Sequence, residues 1–227
     1  MTTEVSLKNT MLFLRNNGYD FKKILDIGCH FGNWTAEMKQ LFPNAEYFLI
    51  DASDYPQRDK AIPFLNTVLS DNVGTVDWYD ITSGNGTGNS YLRETTSHYK
   101  DTEPIKRPCT TLDTLFEEGR LPNDFDFIKL DVQGAEIDIL KGASKFFEKA
   151  EMILLEVPFV GETNKNAPKF LDYIIFMDHS GFACYDIIEL HRHYGMLLQV
   201  DILFVKKTSE LLEKVQNTIH LFGTNLI

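Results

Sequence analysis

A mostly parallel α/β sheet with helices on both faces and an antiparallel hairpin at its C-terminal end is the fold class predicted by the sequence. Three observations predict it. Apolar runs of strand length recur with helical patterns between them, in "KKILDIG", "EYFLID", "FLNTVLS", "FDFIKLD" and "EMILLEV". Several of these runs are continuous rather than alternating, as in strands covered on both faces. Near the end, "FACYDIIEL" and "LQVDILFVKK" flank only "HRHYGM", a connection too short for a crossover helix, so these two strands pair antiparallel.

The elements follow in order. Residues 1–20 read as an N-terminal helix. The segment Asn33–Leu41 places Trp34, Met38 and Leu41 at helical spacing, and Pro43 ends it. Pro56 and Pro63 bracket the next crossover and predict a short or irregular helix. "FLNTVLS" is read as the third strand. From residue 72 to 109 an insertion begins with a strand-like "GTVDWYD" and continues through a stretch rich in Gly, Asn, Ser and Thr, which has the composition of a lid or binding loop. After Asp131, "GAEIDILKGA" reads as a helix stopped at Gly142. Residues 208–227 read as an exposed C-terminal helix.

The chain has 227 residues, 43% of them hydrophobic, enough for one domain over 1–227 with a full core. Its net charge of -11, with no concentration of Lys and Arg, argues against nucleic acid as partner. No apolar run reaches the length of a bilayer crossing and no signal peptide is visible, so the expected setting is cytoplasmic, without membrane insertion. Cys29, Cys109 and Cys184 show no paired spacing and read as reduced thiols.

The most informative short segment is "DIGCHFG", Asp26 to Gly32, a glycine-bearing bend between a strand and a helix. In a dinucleotide site the second glycine lets the backbone approach a pyrophosphate. His30 stands there instead, and Asp26 adds a negative charge that favours an ammonium or sulfonium group over phosphate. S-adenosylmethionine carries both cations and no phosphate. Asp51 ends the second strand at the spacing where an acid takes ribose hydroxyls. Cofactor contact is thus expected from Asp26, Gly28, His30, Gly32, Asp51 and Ala52, from Ser70 and Asp71 after the third strand, and from Asp131.

Those residues, with "RPCTTLDTLF", "DFIKLDVQGAEIDILKGA" and "ILLEVP" in that order, resemble the FkbM-type S-adenosylmethionine-dependent methyltransferases over nearly the whole chain. "CHF" in the bend and "LIDAS" after the second strand depart from the common pattern of that family. The resemblance implies a Rossmann-like class I methyltransferase sheet of seven strands, with the terminal hairpin supplying its one antiparallel strand. It also implies methyl transfer to a hydroxyl of a sugar or secondary metabolite, leaving S-adenosylhomocysteine.

Asp131 closes a buried strand at the edge where open α/β sheets bind ligands, and N-capping of the next helix is its simpler role. Lys129, on the same strand face, is expected to pair with Glu136 or Glu156. Candidate bases for an acceptor hydroxyl are Asp131, Glu156, His98 and His191. Asn89, Ser90 and Tyr91, in a segment resembling the family's "GNS", and His191 are expected to meet the acceptor, and Trp78, Tyr79 and Tyr91 could line its pocket. A divalent metal held by Asp131, Glu156 and a histidine of "HRH" is conceivable but disfavoured, so no metal ligand is assigned. His191 and His193 share a face only if that stretch is extended. The rival readings are an NAD-dependent oxidoreductase, disfavoured by His30 and Asp26, and a non-catalytic scaffold.

Overall fold

The computed structural model describes residues 5–81 and 86–224. Residues 1–4 of the expected first helix, 82–85 of the insertion and 225–227 of the tail lie outside them. Helix α1 (Leu7–Asn16) starts where the Ser6 hydroxyl accepts the Asn9 amide proton, and it buries Leu7, Met11 and Leu14 from one face. Strand β1 (Lys23–Ile27) leads through the bend into α2 (Asn33–Leu41), followed by β2 (Glu46–Asp51). Between Pro56 and Pro63 the chain forms turns and no helix.

The expected third strand is two strands. β3 (Phe64–Asn66) joins the edge of the main sheet beside β2, and β4 (Val68–Leu69) turns away at Thr67 into a second sheet. There it lies beside β6 (Ile105–Thr110), which also pairs with β5 (Gly74–Trp78). The insertion is therefore built around a small three-stranded sheet, and a single 3₁₀ turn at Ser97–Tyr99 interrupts its loop.

Helix α3 (Leu112–Glu117), capped by Thr111, leads to β7 (Phe127–Leu130), α4 (Glu136–Lys141), β8 (Met152–Pro158) and α5 (Phe170–His179). β9 (Phe182–His193) and β10 (Met196–Lys206) form the long terminal hairpin, and α6 (Glu210–Thr224) follows. The main sheet has seven strands in the order β3-β2-β1-β7-β8-β10-β9. β10 runs antiparallel to both neighbours, so it is the one reversed strand of an otherwise parallel sheet. "HRH" belongs to β9, and the turn is only Tyr194 and Gly195, both with positive φ, as a two-residue hairpin turn requires.

Both sheet faces are covered. Leu25, Ile27 and Leu130 pack into one apolar cluster with Leu140, Phe146 and Tyr173; Ile24 and Phe127 pack into another with Met11, Met38 and Leu203. This two-sided burial explains why the central strands read as unbroken apolar runs. It also leaves the C-terminal strand edges, where β1, β2, β7 and β8 all end, as the place where polar side chains gather.

Candidate active site

The bend after β1 alternates through left-handed backbone: Gly28, His30 and Gly32 have φ of 75°, 48° and 80°. Gly28 is required by packing, because a β-carbon there would stand 1.8 Å from the Asp131 carbonyl oxygen. The bend thus presses against the end of β7 and brings Asp131 beside it. His30, which as a non-glycine is uncommon in this conformation, is held by Asp51: its amide donates to Oδ2 at 2.8 Å, while the Ser53 amide donates to Oδ1 at 2.8 Å. The His30 ring also stands edge-on to Tyr55, with centroids 4.4 Å apart. Burial pushes the Asp51 carboxyl up and the two amides pull it back.

These residues open onto a cavity of about 280 Å³ at the C-terminal ends of the strands. Gly28, His30, Asp51, Ala52 and Asp131 line it, as do Asn89, Ser90 and Tyr91. Its apolar wall is Val68, Leu69, Trp78 and Ile139, and the Trp78 indole nitrogen finds no partner among the described residues. Three carboxylates, Asp51, Asp131 and Glu156, line this cavity, and no lysine or arginine does among the described residues.

A second cleft, of about 620 Å³, shares Thr87, Gln133 and Glu156 with the first. His98, His191 and His193 line it. The expected acceptor residues therefore divide: Asn89, Ser90 and Tyr91 face the first cavity and His191 the second. Of the three aromatics proposed for the acceptor, Trp78 and Tyr91 line the first cavity and Tyr79 lines neither. Much of this polar chemistry is already engaged. The Asn89 side chain accepts from the Ile81 amide and Tyr99 hydroxyl and donates to Asp80; Ser90 Oγ accepts the Leu92 amide proton.

Several expected residues lie elsewhere. Asp26 is fully buried beneath the bend, its Oδ2 accepting the Thr35 hydroxyl proton at 2.6 Å and its Oδ1 3.4 Å from Lys129 Nζ. Gly32 caps α2 away from the cavity, Ser70 is buried with its amide on the Thr110 carbonyl, and Asp71 is exposed. Lys129 pairs with Asp26 and, at 3.2 Å, with Asp131, rather than with Glu136 or Glu156. The reason is register: β1 and β7 are adjacent parallel strands in which Asp26 stands opposite Lys129. Burial lowers the Lys129 pKa, but Asp131 and Asp26 more than offset it, and the ammonium is held charged. Asp131 does not cap α4, whose N-cap is Ala135.

Sequence reasoning missed Gln133. With φ of 58°, it turns back so that its amide donates to Asp131 Oδ1 at 3.2 Å and Glu156 Oε2 at 2.9 Å, tying the two acids together. The signal was the adjacent Gly134, which marks a turn between Asp131 and α4. Glu136 holds that turn from below: its Oε1 accepts the Val132 and Gly134 amides at 2.9 and 3.3 Å, and its Oε2 accepts the Tyr173 hydroxyl at 2.6 Å.

Burial raises the Glu136 carboxyl to about 7, partly countered by these donors. The folded state therefore holds a proton that the unfolded state releases near 4.5, and stability is lost as pH rises through that window. Glu136→Gln keeps every partner, since an amide can accept from both backbone donors and donate to Tyr173. Urea unfolding at pH 5 and pH 8 is expected to show the wild type losing on the order of 3 kcal/mol relative to this variant. Parallel pH profiles would contradict the assignment.

Comparison with known proteins now adds to this geometry. The methyltransferase FkbM domain matches residues 26–185, more than two thirds of the chain. The chain belongs to the FkbM methyltransferase family. Among curated proteins, the 2-O-methyltransferase NoeI of Sinorhizobium fredii is 27% identical in an alignment 152 residues long that covers 59% of this chain and 62% of that protein. The match thus spans less than two thirds of the relative's length. Among solved structures, magnesium protoporphyrin IX methyltransferase from Synechocystis with bound SAH superposes with a TM-score of 0.50 at 12% identity, covering 88% of this chain and 80% of the other. At that identity the likeness concerns the fold, a class I methyltransferase sheet.

Proposed function

We propose that this FkbM protein transfers a methyl group from S-adenosylmethionine to a hydroxyl of a sugar or secondary metabolite. The observation that carries the proposal is the charge of the first cavity: three carboxylates and no lysine or arginine among its described lining residues. Such a wall repels a pyrophosphate and attracts an ammonium and a sulfonium. Asp51 retains lone pairs beyond the two amides it accepts, so it can take ribose hydroxyl protons. Val68, Leu69, Trp78 and Ile139 offer an apolar slot for a purine. Gly28, His30 and Ala52 would close around the same ligand, and Asp131 with Glu156 would face its cationic end. Asp26 would act only through the bend it supports. The 2-O-methyltransferase name of NoeI supports oxygen as the acceptor atom.

Bound S-adenosylmethionine supplies an electrophilic methyl group with a neutral leaving group. The chain's task is to hold an acceptor oxygen in line with that methyl and to receive its proton. The second cleft, which meets the first at Glu156 and Gln133, is the proposed acceptor site. Asp131, Glu156 and His98 are the proposed catalytic groups, with Asn89, Ser90, Tyr91 and His191 shaping the approach. Glu156 suits the role of base, because burial and the neighbouring Asp131 and Asp201 raise its affinity for a proton.

Methyl-labelled S-adenosylmethionine incubated with a panel of sugars and hydroxylated metabolites tests the proposal. Label is expected in a hydroxylated acceptor, and Asp131→Asn is expected to lower transfer at least ~100-fold. Transfer to no acceptor in the panel, or transfer unaffected by Asp131→Asn, would count against it.

A further inference from the structure

β8, β10 and β9 lie side by side at the far edge of the main sheet, and their register collects three side chains. Asp201 stands opposite Glu156 across the β10–β8 ladder, and His191 stands opposite Gln199 across the β10–β9 ladder. His191 Nε2 lies 3.0 Å from Asp201 Oδ1, and one donor atom from each of Glu156, His191 and Asp201 lies within 4.8 Å of the other two. We propose that Glu156, His191 and Asp201 bind a divalent first-row transition ion on the wall of the second cleft.

The charge balance around them supports a cation. Lys129 is the buried ammonium on this side of the site, and it is committed to Asp26 and Asp131 at 3.4 and 3.2 Å. Glu156 is left facing Asp131 and Asp201, and the only hydrogen bond to its carboxylate among the described residues comes from Gln133, to Oε2. Asp201 is 8% exposed, and among the described residues its side chain bonds only His191. Carboxylates that outnumber the one ammonium near them in a half-dry pocket are stabilised by a shared cation.

The donor set selects the kind of ion. One imidazole with two carboxylates suits Mn²⁺, Fe²⁺ or Zn²⁺, whereas Mg²⁺ prefers oxygen alone. Ligand atoms cis to one another at ~2.1 Å from a metal lie ~3.0 Å apart, which the His191–Asp201 pair already matches. Glu156 offers a carboxylate oxygen within 4.8 Å of both. Ion binding requires a free lone pair on His191 Nε2, so it replaces the contact that this nitrogen makes with Asp201.

The site differs from the Asp131-based arrangement conceivable from sequence. Asp131 is occupied by Lys129 and Gln133, and Asp201 takes its place. Ion binding stands apart from methyl transfer; that the ion would orient an acceptor hydroxyl in the second cleft rests on the proposed reaction.

Titration of the purified full chain with Mn²⁺, followed by electron paramagnetic resonance and without S-adenosylmethionine, tests the site. Saturable micromolar binding is expected, weakened at least ~10-fold in His191→Ala and in Asp201→Asn. His191 is half exposed on an edge strand, so His191→Ala is expected to keep the wild-type circular dichroism spectrum and unfolding midpoint. No saturable Mn²⁺ binding would overturn the proposal, as would equal affinity in wild type and both variants. Either result is what a hydrogen-bonded His191–Asp201 pair without an ion would give. Because no acceptor or cofactor enters the titration, its failure leaves the methyl-transfer assay to be decided separately.

Discussion

Lys129→Met is expected to destabilise the protein by about 3–5 kcal/mol, the range for removing one partner of a buried ion pair. The methionine fills much the same space beside Trp34, whose ring centroid is 5.7 Å from Lys129 Nζ. What is lost is the charge. Asp26 is then a fully buried carboxylate with one hydrogen bond from Thr35, and Asp131 loses its ammonium as well. Adding Asp26→Asn should recover most of the loss, because the second substitution removes the charge stranded by the first. Equilibrium denaturation of the two single variants and the double variant gives the coupling directly. A deficit below 1 kcal/mol for Lys129→Met would mean that the pair does not hold the bend in place.

The second large effect is on binding. Asp51→Ala removes the acceptor of two loop amides, those of His30 and Ser53, together with the acid proposed for the ribose. His30 sits in left-handed backbone that a bulky residue adopts only when its surroundings hold it there, and the Asp51 carboxylate is what holds it. Losing a charged hydrogen-bond partner and the shape of the bend together is expected to weaken S-adenosylhomocysteine binding ~100-fold, since each charged hydrogen bond contributes about 1.5–3 kcal/mol. Stability should change less than affinity, because Asp51 lies at the cavity surface rather than in either apolar cluster.

The parts of this fold that were legible in the sequence are those governed by local rules. Continuous apolar runs marked β1, β2, β7 and β8, and the short connection "HRHYGM" marked the hairpin, although "HRH" itself continues β9 and only Tyr194 and Gly195 turn. The split of "FLNTVLS" at Thr67 was not legible, because β4 is two residues long and pairs with a strand some 40 positions away. Its partner β6, "IKRPCT", carries Lys, Arg and Pro and does not look like a strand at all. At the site, Asp51 and Asp131 could be found because each ends a strand. Asp26 was placed in the cavity for the same reason, yet strand register set it opposite Lys129 and beneath the bend. Asp201 was invisible for a related cause: within "VDILF" it reads as a solvent-facing strand residue, and only the ladder to β8 brings it to Glu156.

The most direct test is calorimetric titration of the wild type and Asp51→Ala with S-adenosylhomocysteine and, separately, with NADH. A cavity walled by Asp51, Asp131 and Glu156 is expected to bind S-adenosylhomocysteine at micromolar concentration, to lose it in Asp51→Ala, and to ignore NADH in both. NADH binding without S-adenosylhomocysteine binding would contradict the cofactor assignment and with it the proposed reaction.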